Sequence, residues 1–250
     1  MPDASQWRSS ERYEPVEHMS ASGLAWEWLR RNEAYNRDFD ALSAHDADIA
    51  MLTDAIRQRW GCDFAVDPAL DHAAATVFWM PQDDTSIVVL AETPPELDFG
   101  SGSGTLSVAI AGRDGEAMVR LANGEQIQLQ LLAPVSSPAV AIIPLDIDGF
   151  GRLEAAHRLL AALHGRAIPP DTRLTRQQRT RARRMLQAFD GSRHGATQQD
   201  IARALFRIGP VSRDEWQASS TRHAVMALLR DARAMIAGGY RNLLRHRRRP

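Results

Sequence analysis

Apolar residues near the start of the chain recur at three- and four-residue intervals. Ala25, Trp28, Leu29 and Phe39 share a helical face behind Ser22, a candidate N-cap. Ile49, Leu52 and Ile56 make the stripe of a second helix from about Asp46 to Trp60, stopped by Gly61. Past residue 66 the runs become short and β-like: Thr76–Met80, Ser86–Leu90, Thr105–Ile110, Ala117–Leu121 and Gln126–Leu131. Turn signals separate them at Pro81–Asp84, Pro94-Pro95, Gly112–Gly115 and Asn123-Gly124, the last a hairpin signal. From about Pro144 helical spacing returns in four segments. Leu153, Ala156, Leu159, Leu160 and Leu163 mark the first, after an Asp146-Ile147-Asp148-Gly149 turn. Ala182, Met185, Leu186 and Phe189 mark the second, from near Thr175 to Gly191. Thr197 caps the third over Ile201, Ala202 and Leu205, with Asp200 placed for a capping box; the fourth runs from about Ser219 to Ala237, closed by Gly238-Gly239. The pattern predicts an α+β protein in three parts: a helical N-terminal domain over 1–65, a small, mainly antiparallel sheet over 66–145, and a helical domain over 146–250.

Charge changes the meaning of this division. The formal net charge is −1, yet residues 151–250 hold 21 arginines against 7 acidic residues, while residues 1–150 hold 9 arginines against 24. A GC-rich genome would displace Lys by Arg, and the chain has no Lys, but it would not gather the arginines at one end. A basic module fused to an acidic one predicts that the C-terminal part meets a polyanion, double-stranded DNA first, and binds it as the isolated fragment 146–250. Region 1–145 would carry self-association. Trp26 and Trp28 are read as core, with a protein interface as the alternative.

The last two predicted helices form a helix-turn-helix variant in which 197–206 braces and 220–237 enters the major groove. Val225, Leu228, Leu229, Ala232, Met235 and Ile236 cluster on one side of the long helix; Ser219, Arg222, Met226, Arg230 and Arg233 fall within roughly 80° of each other beside them. Ser219, Ser220, Thr221 and Arg222 are placed to reach base edges, Arg230 and Arg233 to hold phosphates. Thr197 and Gln198 complete the contact set from the bracing helix. The dozen residues between Phe206 and Ser219 exceed the usual turn of 3–4 residues, so an inserted loop is expected, anchored by Trp216. Two further basic clusters support the surface: Arg173, Arg176, Arg179, Arg181, Arg183 and Arg184, and a flexible tail with Arg241, Arg245, Arg247, Arg248 and Arg249.

Other chemistry is absent from the pattern. Cys62 stands alone, so neither a disulfide framework nor a thiolate cluster is expected. Gly100–Gly104 lacks dinucleotide spacing, the Asp146–Gly149 turn lacks the rest of a calcium loop, and His157 and His164 share one helix face without a second ligand pair. No nucleophile elbow, phosphate loop or zinc-protease motif occurs. The reading is of a non-enzyme without cofactor or metal. The polar N-terminus and the lack of a ~20-residue apolar run predict a cytoplasmic protein.

Asp200–Phe206, Trp216, Ser219–Arg222 and Gly238-Gly239-Tyr240-Arg241-Asn242-Leu243-Leu244 resemble the C-terminal domain of RovC/FseA-type transcriptional activators of proteobacterial mobile elements. Ala25-Trp26-Glu27-Trp28-Leu29-Arg30-Arg31-Asn32 with Tyr35 resembles its accompanying N-terminal domain, and Phe78–Pro81 the opening of its central sheet. The resemblance implies a DNA-binding, oligomeric activator of mobile-element or secretion genes, with no catalytic residues. Expected partners are DNA, further copies of the chain, and RNA polymerase or an antiactivator protein. An architectural or recombination accessory protein, or an interaction module that binds no DNA, are the alternatives.

Overall fold

A computed structural model of the chain describes residues 2–43, 49–62, 66–97, 110–111, 115–132 and 139–246. They form two compact units: unit 1 comprises residues 1–56, 65–76 and 174–243, and unit 2 comprises 57–64, 77–173 and 244–250. This partition cuts across the boundaries read at 65/66 and 145/146. It also redistributes the charge. Unit 1 holds 18 arginines and 18 acidic residues, so the acidic start and most of the basic end of the chain neutralise each other within one body.

Unit 1 begins with a 3₁₀ segment, Glu11–Glu17, followed by α1 (Ala21–Leu29) and α2 (Glu33–Ser43). Ser20 rather than Ser22 caps α1, its Oγ accepting from Gly23 N at 3.0 Å. Seven of the nine α1 residues are buried, so this helix is core on every side. Trp26 and Trp28 are within it, 1% and 0% exposed, which makes them core residues. Asn32 separates α1 from α2. Its Oδ1 accepts from Ala34 N and Tyr35 N, and its Nδ2 donates to Ile236 O at 2.8 Å. That last bond satisfies a carbonyl in the final turn of a helix two hundred residues away in sequence. The chain continues into α3 (Ile49–Trp60), which Gly61 ends at φ +71°, as expected. Residues 46–48 of the helix expected from Asp46 lie outside the described residues.

The C-terminal part of unit 1 is α5 (Arg176–Arg193), α6 (Gln198–Phe206), α7 (Arg213–Ala218) and α8 (Ser220–Ile236), closed by a 3₁₀ turn at Gly239–Leu243. Thr175 with Gln178 and Thr197 with Asp200 form reciprocal capping boxes at α5 and α6. Gly191 does not stop α5. It lies inside the helix because a Cβ there would come within 2.8 Å of the Trp7 ring. Gln187 Nε2 also donates to Trp7 O at 3.0 Å, fixing the first residues of the chain along α5.

Between α1 and α5 lies a buried ionic network. Arg31 donates Nε and Nη2 to the two oxygens of Asp190, at 2.9 and 2.7 Å, and Nη1 to Glu27 Oε2 at 2.6 Å. Tyr13 Oη donates to Asp190 Oδ2 at 2.9 Å. Arg30 binds Glu27 and the carbonyls of Pro68, Ala69 and Leu70. Burial opposes ionisation of Glu27, but the hydrogen bond from His72 and the guanidiniums of Arg31 and Arg30 overcome it and hold the carboxyl well below the usual range. Burial and the Asp190 carboxylate push the Tyr13 phenol up.

Unit 2 is a mixed sheet of order β2-β3-β4-β1-β5 with one helix upon it. The strands are β1 (Val88–Glu92), β2 (Ile110–Ala111), β3 (Glu116–Arg120), β4 (Gln126–Leu131) and β5 (Ala139–Ile142). Every pairing is antiparallel except β1 with β4. The Asn123-Gly124 hairpin joins β3 to β4 as expected, with Gly124 at φ +84°. α4 (Gly149–Leu163) lays Ala155, Ala156 and Leu159 on Val88, Leu90, Val119, Ile127 and Leu129. The run Thr76–Met80 is not a ladder strand. Apart from a single bridge from Trp79 to Cys62, it is held by Gln128, whose Oε1 accepts from Trp79 N and whose Nε2 donates to Trp79 O, both at 2.9 Å. One side-chain amide thereby supplies the two bonds that a neighbouring strand would have made. β5 was not expected, because its uncharged Ala-Val-Ala-Ile run has no polar alternation. Most of the run Thr105–Ile110, and all of Gly100–Gly104, lie outside the described residues.

Candidate nucleic-acid interface

α8 has three faces. Val225, Leu228, Leu229, Ala232 and Ile236 are buried against the rest of unit 1, and α5, α6 and α7 all pack on this helix. On one flank, Met226 is 43% exposed and Arg233 is exposed, while the Arg230 side chain is 76% exposed and pairs with Asp231 at 2.8 Å. Arg222, in the first turn, is half-buried. Among the described residues, neither Arg222 nor Arg233 has a side-chain hydrogen bond or ion pair, so neither is committed to holding the fold. On the opposite flank, Ala224 and Leu228 help floor a groove of about 660 Å³ between α5 and α8, with Phe206 at one side and Arg176, Arg181 and Arg184 around it. Arg184 stacks over Phe206 at 5.9 Å.

The helix starts at a single-residue joint. Ser219 ends α7 and caps α8, its Oγ accepting from Thr221 N at 3.1 Å, and Ser220 is exposed beside it. A helix N-terminus with its amides directed outward favours an anion. Thr197 and Gln198, at the head of α6, are exposed as well. The inserted loop expected between Phe206 and Ser219 is in part a helix. α7 is capped by Ser212 with Glu215 in a reciprocal box, and its Trp216 is 9% exposed, in the anchoring role expected of it. The Ser212-x-x-Glu215 spacing was the signal that could have announced α7. Exposed Arg213, at its first position, joins the surface unannounced.

The turn after α6 carries strain. Arg207 ends that helix in the left-handed region at φ 53°, a position that favours glycine, which the sequence places two residues later at Gly209. Arg207→Gly is expected to stabilise unit 1 by about 0.5–1 kcal/mol, raising the melting temperature by roughly 2–4 °C in calorimetry. An unchanged or lower melting temperature would mean that the Arg207 side chain contributes more than its backbone costs.

Several arginines of the C-terminal part have partners within the protein. In unit 1, Arg183 donates to Glu17 at 2.7 Å and to Ser10 O, Arg179 to Met19 O, and Arg181 to Asp231. In unit 2, Arg173 is 6% exposed between Asp171 and Asp84, and Arg152 and Arg158 hold backbone carbonyls. Of the six arginines around α5, Arg176, Arg181 and Arg184 remain exposed, Arg181 while paired with Asp231. The tail is not a flexible arm through residue 246. Leu244 is fully buried and accepts from Thr85 N at 3.1 Å, while Arg245 Nη2 donates to Gln82 O at 2.8 Å, with Asp148 3.6 Å away. Arg241, half-buried in the 3₁₀ turn, belongs to unit 1 and Arg245 to unit 2. Arg247, Arg248 and Arg249 lie outside the described residues.

Glu154, Asp171 and His246 bring potential metal-ligand atoms within 4.8 Å of one another. Asp171 is already held by the Arg173 guanidinium at 2.7 Å, and His246 Nε2 lies 2.9 Å from Glu154. The Arg173 guanidinium thus already supplies Asp171 with a counter-ion. No described helix is long and apolar enough to cross a membrane.

Two domains recognised from other proteins match parts of the chain, with bounds that do not follow the two compact units. Residues 142–245 match the RovC DNA-binding domain, described as that of a T6SS transcription factor, and residues 6–65 match a proteobacterial transcriptional regulator-like domain. The first spans α4 to α8 and the second the helices α1 to α3. Both are regulatory rather than enzymatic domains. No curated protein matches the chain.

Proposed function

We propose that this chain, which has the domain architecture of a RovC-type transcriptional regulator, binds double-stranded DNA through α8 and activates transcription as an oligomer in the cytoplasm. A DNA-binding transcription-factor domain and a regulator-like domain make it a transcriptional regulator. Activation, self-association, and a role in mobile-element or secretion genes are our further reading. The observation that carries the DNA contact is the uncommitted flank of α8: Arg222 and Arg233, with exposed Met226 and Arg230, beside a face buried by α1, α5, α6 and α7. Such a helix is rigid enough to read a groove. Ser219, Ser220, Thr221 and Arg222 approach base edges. Arg230 and Arg233, with Thr197 and Gln198 from α6, hold the backbone, and Arg241, Arg245, Arg247 and Arg248 add phosphate contacts.

The test is footprinting and quantitative binding of the full chain on the promoter beside its own gene. Arg222→Ala is expected to cost ~1–3 kcal/mol and relax preference at one operator position, while Arg233→Ala weakens all sequences alike and reduces the salt slope by about one. Loss of base preference through Arg233 rather than Arg222 would reverse these roles. Undiminished binding in both variants would remove α8 as the reader.

A further inference from the structure

α4 turns its second face to solvent, and that face is apolar. Ala155, Ala156 and Leu159 pack on the sheet. Phe150, Leu153, His157, Leu160 and His164 fall within about 80° of one another on the other side, at ~100° per residue. Phe150 is 72% exposed, Leu153 52% and Leu160 54%, and both histidines are exposed. No Asp, Glu or Arg interrupts the stripe. The segment leading into the helix extends it: Leu145 and Ile147 are exposed, and so is Ile142 at the end of β5. β5 is an outer strand of the described sheet and carries neither charge nor proline. Monomers ordinarily blunt such an edge. Together the apolar residues named here expose on the order of 700 Å², the same order as the ~800 Å² that each partner buries in a stable interface.

We infer that the outer face of α4 is a self-association surface, on which a second copy of this chain packs its own α4 antiparallel about a two-fold axis at His157. The inference rests on the oligomeric part of the proposed function and supplies the surface. The stripe is self-complementary in that arrangement. Centred on residue 157, antiparallel pairing sets Phe150 opposite His164 of the second copy and Leu153 opposite the turn holding Leu160, while His157 meets its own counterpart. An isologous contact requires this: every pair off the axis occurs twice, and no Asp, Glu or Arg faces its like. A stripe meant for an acidic or basic partner would carry countercharges, and this one carries none.

The experiment measures the mass of the full chain by sedimentation across a hundredfold concentration range, for the wild type, Leu153→Glu with Leu160→Glu, and Leu132→Glu. Leu132 is 60% exposed in the same unit but off the stripe, and serves as the control. Since all three side chains are exposed, circular dichroism should show an unchanged fold. The expected result is an oligomer for the wild type and the control, and a shift toward the 27.8 kDa monomer for the double variant. In addition, His157→Cys should form a disulfide-linked dimer on mild oxidation. Cys62 is buried and does not compete. A monomeric wild type would end the oligomeric reading and this surface with it. An oligomeric wild type whose mass is unchanged in the double variant, or a His157→Cys chain that fails to cross-link, would leave self-association standing and overturn its assignment to α4.

Discussion

Removal of residues 1–56 is expected to abolish DNA binding, although every residue proposed to touch DNA lies after 196. The charge pattern alone predicts the opposite, since the fragment 146–250 holds nearly all of the excess arginine. In the structure, α5 to α8 are completed by the N-terminal stretch. Trp7, Trp26 and Trp28 are fully buried core residues, Asn32 satisfies the end of α8, and Arg31 neutralises Asp190 inside α5. A chain starting at residue 57 loses that core, uncovers the faces of α5 and α8 it packed on, and leaves Asp190 as an uncompensated buried charge. It should lack the cooperative thermal transition of unit 1 and retain only weak, strongly salt-sensitive attraction to polyanions. Native-like protection of α8 amides from hydrogen exchange in the truncated chain would show that the basic helices fold alone.

The second large effect needs only one atom changed. Asp190→Asn breaks the fork to Arg31 while keeping the volume, and leaves a guanidinium that is 5% exposed with only Glu27 as counter-ion. Breaking a buried pair from one side costs about 3–5 kcal/mol, a large share of a domain's stability. Hydrogen exchange should locate the loss in unit 1 and leave the β3–β4 ladder of unit 2 protected. A cost under about 1 kcal/mol would mean that water replaces the aspartate. The same network sets an acid limit. Because Glu27 is depressed in the folded state, its stabilisation is complete above the unfolded carboxyl value of about 4.3 and is lost as pH falls toward its lower folded value. The melting temperature should therefore hold from pH 7 to 5 and decline below about 4, with a shallower decline in Glu27→Gln.

The sequence carried the elements further than their assembly. Capping boxes at Thr175 and Thr197, the Asn123-Gly124 turn and the apolar face of α8 are local patterns, and local geometry honours them. The ordering of the strands is not local: β1 lies beside β4, and Gln128 replaces a strand by bonding the backbone of Trp79. Arginine was the least legible residue. A count of charges cannot separate Arg233, which faces solvent, from Arg173, buried between two carboxylates, because Asp84 reaches Arg173 from 89 residues away, while Arg233 has no ion pair among the described residues. The string Ala25–Asn32 carries the family resemblance, and its residues prove to be those that tie α1 to α5 and α8. Trp28 is core, Arg31 holds Asp190, and Asn32 holds Ile236.

Unit 1 is closed by its first and last stretches, with most of unit 2 encoded between them, and this sets an order of events during synthesis. The buried partners of Trp7 and Arg31 on α5 are translated about 160 to 185 residues later. At 5–20 residues per second, the N-terminal tryptophans wait roughly 8–35 s on the ribosome before their partners emerge. The β3–β4 hairpin can form in that interval; unit 1 cannot. Until α5 emerges the N-terminal tryptophans lack their buried partners, so a chain stalled before residue 176 would present them to proteases.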